Sequence, residues 1–454
     1  MVLSEKDPII ARASAAGRGG IGIVRISGER VSVESIIAKL LPGKSLQPRH
    51  AHLVAINDRD GELLDQAIVI YYEAPRSYTG EAVLEIQAHG GMAVQKLILE
   101  RCLDVGKNVH LRMAQPGEFS QRAFLNGRMD LTQAEAVADL IDASNSVSAR
   151  AAARSMQGAF SRRVNELNDQ LIDLRAFLEA TLDFPEEEID FIESGHVNER
   201  VTALIDSLQA LQKSAMRGKV LRDGLTIVLV GSPNVGKSSL MNALAGEEVA
   251  IVTEIAGTTR DRIERQIDLG GLVINLIDTA GVRSTNDPVE AIGVQRTLQA
   301  VSGADIVLHL RAANISTDGD DQALELIRPC LREGVQFLTV LNKIDLPHET
   351  PDTDVIAVSA KTGTGIDSLV NRLQDIAGGV DDAEGEFLAR TRHLDCLARA
   401  YEHLKMMQSG VLSFGLDLAA EELRLASQAL GEIVGQTVAD DLLGIIFSRF
   451  CIGK

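Results

Sequence analysis

Short runs in which apolar and polar residues alternate fill the first quarter of the chain: "IGIVRIS" from Ile21, "QAIVIYYE" from Gln66, "AVLEIQAHG" from Ala82 and "NVHLRMA" from Asn108. A period of two is that of a half-buried strand. Two helical stretches lie between the runs, so residues 1–126 read as an α/β domain. From about residue 127 the period lengthens. In "LTQAEAVADLIDASNSVSARAAARSMQGAFSRRVNELNDQLIDLRAFLEATLDF" apolar residues recur every three or four positions with no internal proline. That predicts helix as far as Pro185 and the acidic run "EEEID". A second helix is expected from His196 to about Gly218. Residues 224–378 then alternate strand and helix in the manner of a parallel sheet with helices on both faces, and helical texture returns after 384. A helical domain that is interrupted and resumed implies an insertion. The expected order is an N-terminal α/β domain (1–126), a helical domain in two parts (127–220 and 381–454) and an inserted α/β domain (221–380). No internal repeat or low-complexity segment is visible.

Composition narrows the class without changing that picture. The 454 residues give room for two or three domains, and 45% apolar with 24% charged content is ordinary for a globular protein. Aromatics are sparse at 3%, with no Trp, which suits Ala/Leu-rich helices. A net charge of −19 argues against a surface that attracts nucleic acid everywhere, so RNA must be met by a local basic patch or through a partner. The basic groups Arg162 and Arg163, or Arg390 and Arg392, are candidates for such patches, though each reads more simply as a solvated helix face. Four scattered cysteines (Cys102, Cys330, Cys396, Cys451) form no Cys-x-x-Cys pair and read as reduced thiols. No apolar run is long enough to span a bilayer, and "MVLSEKDPII" lacks the core of a signal peptide, so a cytoplasmic protein without membrane contact is expected. The terminal "SRFCIGK" is not a prenylation signal, because Gly453 and Lys454 occupy the last two places and no polybasic stretch precedes Cys451.

The inserted unit carries the clearest chemistry. "LTIVLVGSPNVGKSSLMNALAG" is a strand, a glycine-rich turn and a helix, with Gly231, Gly236, Lys237 and Ser238 at P-loop spacing. That order lets successive backbone N–H groups and a helix N-terminus face phosphates, with Lys237 as a point charge and the Ser238 hydroxyl on Mg²⁺. "LIDTAG" ends a strand on Asp278, placed for Mg²⁺, followed by Thr279, Ala280 and Gly281. "LNKID" supplies Asn342, Lys343, Ile344 and Asp345, whose carboxylate can accept from both N1–H and N2–H₂ of guanine. "SAK" adds the backbone of Ser359, Ala360 and Lys361 near the base oxygen. Each motif is weak alone; all four in this order point to GTP. After Asp-Thr-Ala-Gly, Ras-like GTPases place a glutamine that orients the attacking water, but this chain has Val282, which can neither donate nor accept. The nearest polar substitutes are Asp287, which reads more simply as a loop acid or helix cap, and Glu290. Missing positive charge could come from a monovalent cation held by the Asn234 side chain within the phosphate loop.

The whole chain resembles the MnmE (TrmE) family of tRNA-modifying GTPases. The resemblance is carried by "GRGGIGIVRISG", "SYTGEAVLEIQAHGG" and "PGEFSQRAFLNGRMDLTQAEAVADLI" ahead of the GTPase motifs, and by "DDLLGIIFSRFCIGK" after them. Era-like and Der-like GTPases share the central motifs without these flanks. The resemblance implies an inserted Ras-like P-loop GTPase domain, a homodimer, and hydrolysis activated by K⁺ where other GTPases use an arginine. Its nucleotide contacts fall on Asn234, Val235, Gly236, Lys237, Ser238 and Ser239, and on Thr253, Glu254, Ile255, Ala256, Gly257, Thr258 and Thr259. Within these, Asn234, Thr253, Ile255 and Thr258 would ligate K⁺, and Thr259 would join Ser238 on Mg²⁺. Glu290 aligns with the residue that orients the catalytic water.

The same resemblance implies that the N-terminal domain binds a tetrahydrofolate derivative, 5-formyl- or 5,10-methylene-tetrahydrofolate, through Arg25, Glu85, Arg128 and Lys454. Some relatives carry a lysine where Arg128 stands. The chemistry suits the types: a carboxylate accepts from a pterin amide edge, and cations meet the ligand's carboxylates. Lys454 would make the tail a wall of that site. Cys451 is a possible thiol participant, although its Ile/Phe neighbourhood favours a packing role. The family's reaction adds an aminomethyl or carboxymethylaminomethyl group at C5 of the wobble uridine of certain tRNAs. It works with the FAD- and NADH-using partner MnmG (GidA) in a heterotetramer or larger complex. Two other classes fit the central motifs alone: a ribosome-assembly GTPase and a signalling GTPase switch without one-carbon chemistry.

Overall fold

The computed structural model describes residues 6–15, 17–183, 196–246, 265–278, 288–314, 320–332, 334–347, 355–377, 387–408, 415–436, 440–448 and 450–453. The chain opens with β1 (Ile9–Arg12), β2 (Ile21–Gly28), α1 (Arg30–Leu40), β3 (Ala51–Asn57), β4 (Leu63–Tyr72), β5 (Ala82–His89), α2 (Met92–Val105), β6 (Arg112–Met113) and α3 (Glu118–Leu125). Helices α4 (Leu131–Asp142), α5 (Ser146–Met156), α6 (Ala159–Asp183) and α7 (Val197–Asp223) follow. Next come β7 (Leu225–Val230), α8 (Lys237–Ala245), β8 (Arg265–Leu269), β9 (Leu272–Asp278), α9 (Pro288–Gly303), β10 (Ile306–Ala312), α10 (Asp320–Ile327), β11 (Gln336–Asn342), β12 (Ile356–Ala357) and α11 (Ile366–Ile376). The chain closes with α12 (Thr391–Met406), α13 (Leu416–Val434) and α14 (Asp440–Ser448). Two compact units result, one of residues 1–141, 156–197 and 406–454, the other of 142–155 and 198–405.

In the first unit a six-stranded sheet runs β3-β4-β5-β2-β1-β6, antiparallel throughout except for the β1–β6 pair. Alternation sorts its side chains. Ile10, Val24, Ile26 and Ile86 join Ile36 of α1 and Ile98 of α2 in one core, while Ile9 and Ala11 pack with Phe119 of α3 on the opposite face. Register places Ala11, Arg25 and Glu85 side by side on three adjacent strands, so Arg25 and Glu85 share that second face. Helices α6 and α13 pack together, with the Ser427 hydroxyl 2.7 Å from Asn168 Oδ1. Leu131 and Ala134 of α4 meet Leu443, Ile446 and Phe447 of α14, and Phe450 closes the cluster.

The long helical run expected from residue 127 is broken twice, for local reasons. Asp130 Oδ1 accepts the Gln133 N–H at 2.9 Å and starts α4; Asn145 Oδ1 accepts the Ser148 N–H at 2.8 Å and starts α5. Gly158, at φ +80°, separates α5 from α6. Helix α7 continues past Gly218 to Asp223.

The second unit centres on a sheet of order β12-β11-β10-β7-β9-β8, parallel apart from the β8–β9 hairpin. Strands such as "LTIVLV" are apolar at nearly every position because both faces are covered. Leu240 and Leu244 of α8 and Leu369 and Leu373 of α11 cover one face; Ala300 and Val301 of α9 and Ile327 of α10 cover the other. Helices on both sides of a mainly parallel sheet give the P-loop GTPase architecture expected from the motifs. Helices α5 and α7 are joined by Ser148 Oγ donating to the Leu221 carbonyl at 2.9 Å. Among the described residues no helix is long and apolar enough to cross a membrane.

Candidate functional site

The phosphate loop leaves β7 at Gly231 and enters α8 at Lys237, with Gly236 as the N-cap at φ +100°. Helix α8 therefore points its first-turn N–H groups toward the loop. Lys237 Nζ is folded onto the loop, donating to the Gly231 carbonyl at 2.8 Å and the Ser232 carbonyl at 3.2 Å. Asn234 is exposed and left-handed at φ +64°, its carbonyl accepting from Lys343 Nζ at 2.6 Å.

Asn342, at the end of β11, ties the three motifs together. It is 1% exposed; Nδ2 donates to the Val235 carbonyl at 2.9 Å, while Oδ1 accepts from the N–H of Lys343 at 2.8 Å and of Ala360 at 3.0 Å. A Cβ at Gly236 would lie 2.3 Å from that same Nδ2, so the loop approaches Asn342 as closely as it does only because position 236 has no side chain. The Asp345 carboxylate accepts from Ser359 Oγ at 2.7 Å, and that bond, before any neighbouring charge, holds its carboxyl below the usual range. Phosphate loop, Asp345 and "SAK" turn are thus a single hydrogen-bonded assembly.

The oxygen donors beside the phosphate loop suit a divalent cation. Ser238 Oγ lies 3.3 Å from Asp278 Oδ2, and Asp278 Oδ1 is buried with no hydrogen-bond partner among the described residues. A buried carboxylate oxygen left unpaired is costly unless a cation or its water shell takes it up, so hard oxygen donors at this spot fit Mg²⁺. Thr253, Glu254, Ile255, Ala256, Gly257, Thr258, Thr259, Thr279, Ala280 and Gly281 lie outside the described residues, as do Val282 and Asp287. Glu290 falls in the first turn of α9; its side chain is outside the description.

The expected folate residues cluster in the first unit. Arg25 Nε and Nη2 donate to Glu85 Oε1 at 2.9 and 2.8 Å, across adjacent strands and largely shielded from solvent. The guanidinium lies over Tyr78 and Phe119, 5.7 and 5.8 Å from their ring centres. Glu85 and Arg128 both line a cavity of about 350 Å³ with Arg49, Tyr72 and Tyr78. Burial pushes the Tyr78 phenol up, although its bond to Ser120 and the nearby Arg25 pull the other way. Lys454 lies outside the described residues, but the preceding Gly453 offers its carbonyl to Arg25 Nη1 at 3.3 Å.

Two features differ from the sequence reading or escaped it. Cys451 is exposed and borders an apolar cavity of about 870 Å³ with Met92, Met113 and Ile452, so its side chain does not serve as a packing group. The apolar tail residues that do pack are Phe447 and Phe450, one step earlier. The aromatic bed of Arg25, Tyr78 and Phe119, escaped the sequence reading. The signal lay in their being the aromatics nearest "EAVLEI" and "PGE" in a chain with so few.

Known proteins resemble this chain along its whole length. Residues 8–128 match the model of the GTP-binding protein TrmE N-terminus, and residues 131–451 match that of the MnmE helical domain. A tRNA modification GTPase MnmE of Burkholderia ambifaria is 50% identical over 469 aligned positions, covering 100% of both chains. The protein of the same description from Bordetella petrii is 50% identical over 458 positions, again covering 100% of both. Among solved structures, the FeoB G domain of Methanococcus jannaschii is 26% identical, with a TM-score of 0.26 over 34% of this chain and 97% of that one, a partial likeness only.

Proposed function

The chain belongs to the MnmE (TrmE) family, GTP hydrolases of tRNA modification, and on that premise we propose that it is a potassium-activated GTPase serving the wobble uridine. Acting as a homodimer in the cytoplasm with an FAD- and NADH-using partner of the MnmG (GidA) type, it adds an aminomethyl or carboxymethylaminomethyl group at C5. A tetrahydrofolate derivative supplies the carbon, and GTP is cleaved to GDP and phosphate. Membership of this family leaves the ribosome-assembly and signalling readings without support.

In the nucleotide site, Asp345 accepts from the guanine edge, kept ionised by the Ser359 hydroxyl. Backbone N–H groups from Asn234 to Ser239 take the phosphates, and Lys237 exchanges its two loop carbonyls for phosphate oxygens when they arrive. Ser238 and Thr259 would hold Mg²⁺, with Asp278 behind them; the ion, when bound, offsets charge on the β- and γ-phosphates. Asn234, with Thr253, Ile255 and Thr258, would hold K⁺, which supplies the positive charge that an arginine gives elsewhere. Glu290 orients the attacking water through an intermediary water, a role Val282 lacks the polarity to fill.

For the folate half, the observation that carries the reading is Glu85, paired with Arg25 and lining a cavity that Arg128 also lines. A half-buried ion pair returns little net stability. What it does provide is an aligned acceptor for an amide–amino edge beside cations suited to carboxylates, with Lys454 as the further cation. Titration of the full-length protein with 5-formyl-tetrahydrofolate should give saturable binding that Glu85→Ala abolishes. Wild-type protein that binds no folate, or a variant that binds it equally well, removes the one-carbon role.

A further inference from the structure

Past Phe450, the tail that reaches Arg25 is tied down through its backbone. Ile452 forms an antiparallel bridge with Pro116, and the Gly117 N–H donates to the Cys451 carbonyl at 3.4 Å. Glycine is required on both sides of this contact. At Gly117, with φ +68°, a Cβ would sit 2.3 Å from the Phe447 carbonyl oxygen; at Gly453, with φ +95°, it would sit 2.2 Å from the carbonyl oxygen of Arg12. The turn that receives the tail is itself fixed. Glu118 accepts the Gln115 N–H at 2.9 Å and two Arg112 nitrogens at 2.8 and 2.7 Å, and it takes Arg122 at 3.0 Å.

Arg25 reads the result. Its guanidinium is restrained by Glu85, Tyr78, Phe119 and the Gly453 carbonyl. Of these, Glu85 and Tyr78 line the 350 Å³ cavity and are therefore open to a ligand. A ligand edge that hydrogen-bonds to the Glu85 carboxylate competes with Arg25 for it, and Arg25 now uses Oε1 alone. Of the two groups that accept hydrogen bonds from Arg25 among the described residues, the Gly453 carbonyl stands outside that cavity's lining.

We propose that Gly453 is a positioning residue for the folate site: clamped against Arg12 and paired through the tail to Pro116–Gly117, its carbonyl holds Arg25 in place while Glu85 is given to the ligand. The inference rests on the folate reading above and adds to it a residue that touches no ligand. Because the grip is geometric, adding one methyl group dislodges it. Gly453→Ala places an L side chain in left-handed backbone and against a backbone oxygen that has no side-chain freedom to yield.

The test uses the full-length protein and 5-formyl-tetrahydrofolate, read by calorimetry. Gly453→Ala should weaken binding about tenfold, the loss of one charge-assisted hydrogen bond. GTP affinity and melting temperature should stay at wild-type values, and hydrogen exchange at the Cys451–Gly453 amides should accelerate. In an Arg25→Ala background the same change should have no further effect on folate, which a general loosening of the fold would not reproduce. Gly117→Ala, approaching the contact from the other side, should give the same factor and not add to it. Binding by Gly453→Ala within twofold of wild type, or a full tenfold loss on top of Arg25→Ala, overturns the inference. A wild-type protein that ignores the folate overturns the prior reading instead.

Discussion

Replacing Asn342 by alanine asks how much of nucleotide affinity is stored in the scaffold and how much in groups that touch GTP. The side chain is 1% exposed and makes three hydrogen bonds, all to backbone: to the Val235 carbonyl in the phosphate loop, to its neighbour Lys343, and to Ala360 in the "SAK" turn. At about 1 kcal/mol of net value per bond, their loss amounts to about 3 kcal/mol. If that energy serves to hold the loop and the two base-side turns in register, GTP affinity falls by about a hundredfold. The melting transition of the second unit should fall by roughly several degrees as well. Asn342→Asp separates the parts. It keeps an acceptor for Lys343 and Ala360 but turns an oxygen toward the Val235 carbonyl, so about a tenfold loss is expected. Calorimetric titration with GDP and with a non-hydrolysable GTP analogue, alongside thermal denaturation of the same samples, gives both numbers. Affinity for Asn342→Ala within threefold of wild type and an unchanged melting curve would refute the reasoning, since the loop would then keep its shape without the bridge.

Two further expectations concern turnover and acid stability. Glu290→Ala should retain nucleotide affinity and lose GTP hydrolysis, and wild-type turnover should be faster in K⁺ than in Na⁺ at equal ionic strength; equal kcat for variant and wild type, or indifference to the cation, would remove Glu290 or Asn234 from its role. Burial acts to raise the Glu118 carboxyl, but the bonds from Arg112, Gln115 and Arg122 outweigh it and leave the group below the usual range. A carboxyl depressed on folding stabilises the folded state above the ordinary carboxylate range, about pH 4.3, and that contribution is lost as pH falls through its lowered value. Acid unfolding of the first unit should therefore flatten in Glu118→Gln; identical slopes below about pH 4.3 for the two proteins would exclude Glu118 as a source of acid lability.

Legibility followed the reach of the interactions. "LTIVLV" could be read because a strand buried on both faces is apolar at nearly every position. The helical stretch after residue 127 was legible as helix but not as three helices, since its start and breaks depend on Asp130 and Asn145 turning their carboxylate or amide oxygens back onto the chain and on the left-handed Gly158. Such caps look like ordinary polar residues inside a periodic run. "NVHLRMA" failed as a full strand for a similar reason. His110 adopts φ +58°, and only Arg112 and Met113 pair, against a β1 of four residues that is too short to signal itself.

The site divides along the same line. Phosphate-loop chemistry is local, so Gly231 to Ser238 can be recognised as a string, whereas the bridge made by Asn342 spans 107 positions to Val235 and 18 to Ala360. Spacing alone places Asn342 beside a base; it gives no hint that its amide faces the phosphate loop. Distance in sequence is greater still between Arg25 and Gly453, 428 positions apart, where the recognising atom is a backbone oxygen present in every residue. What distinguishes position 453 is the missing side chain, and a lone glycine in "CIGK" has that meaning only once Arg12 is known to lie against it. The contacts that tune a ligand site through main-chain atoms are thus the ones a sequence hides most completely, and they are also those that a single methyl group tests most cleanly.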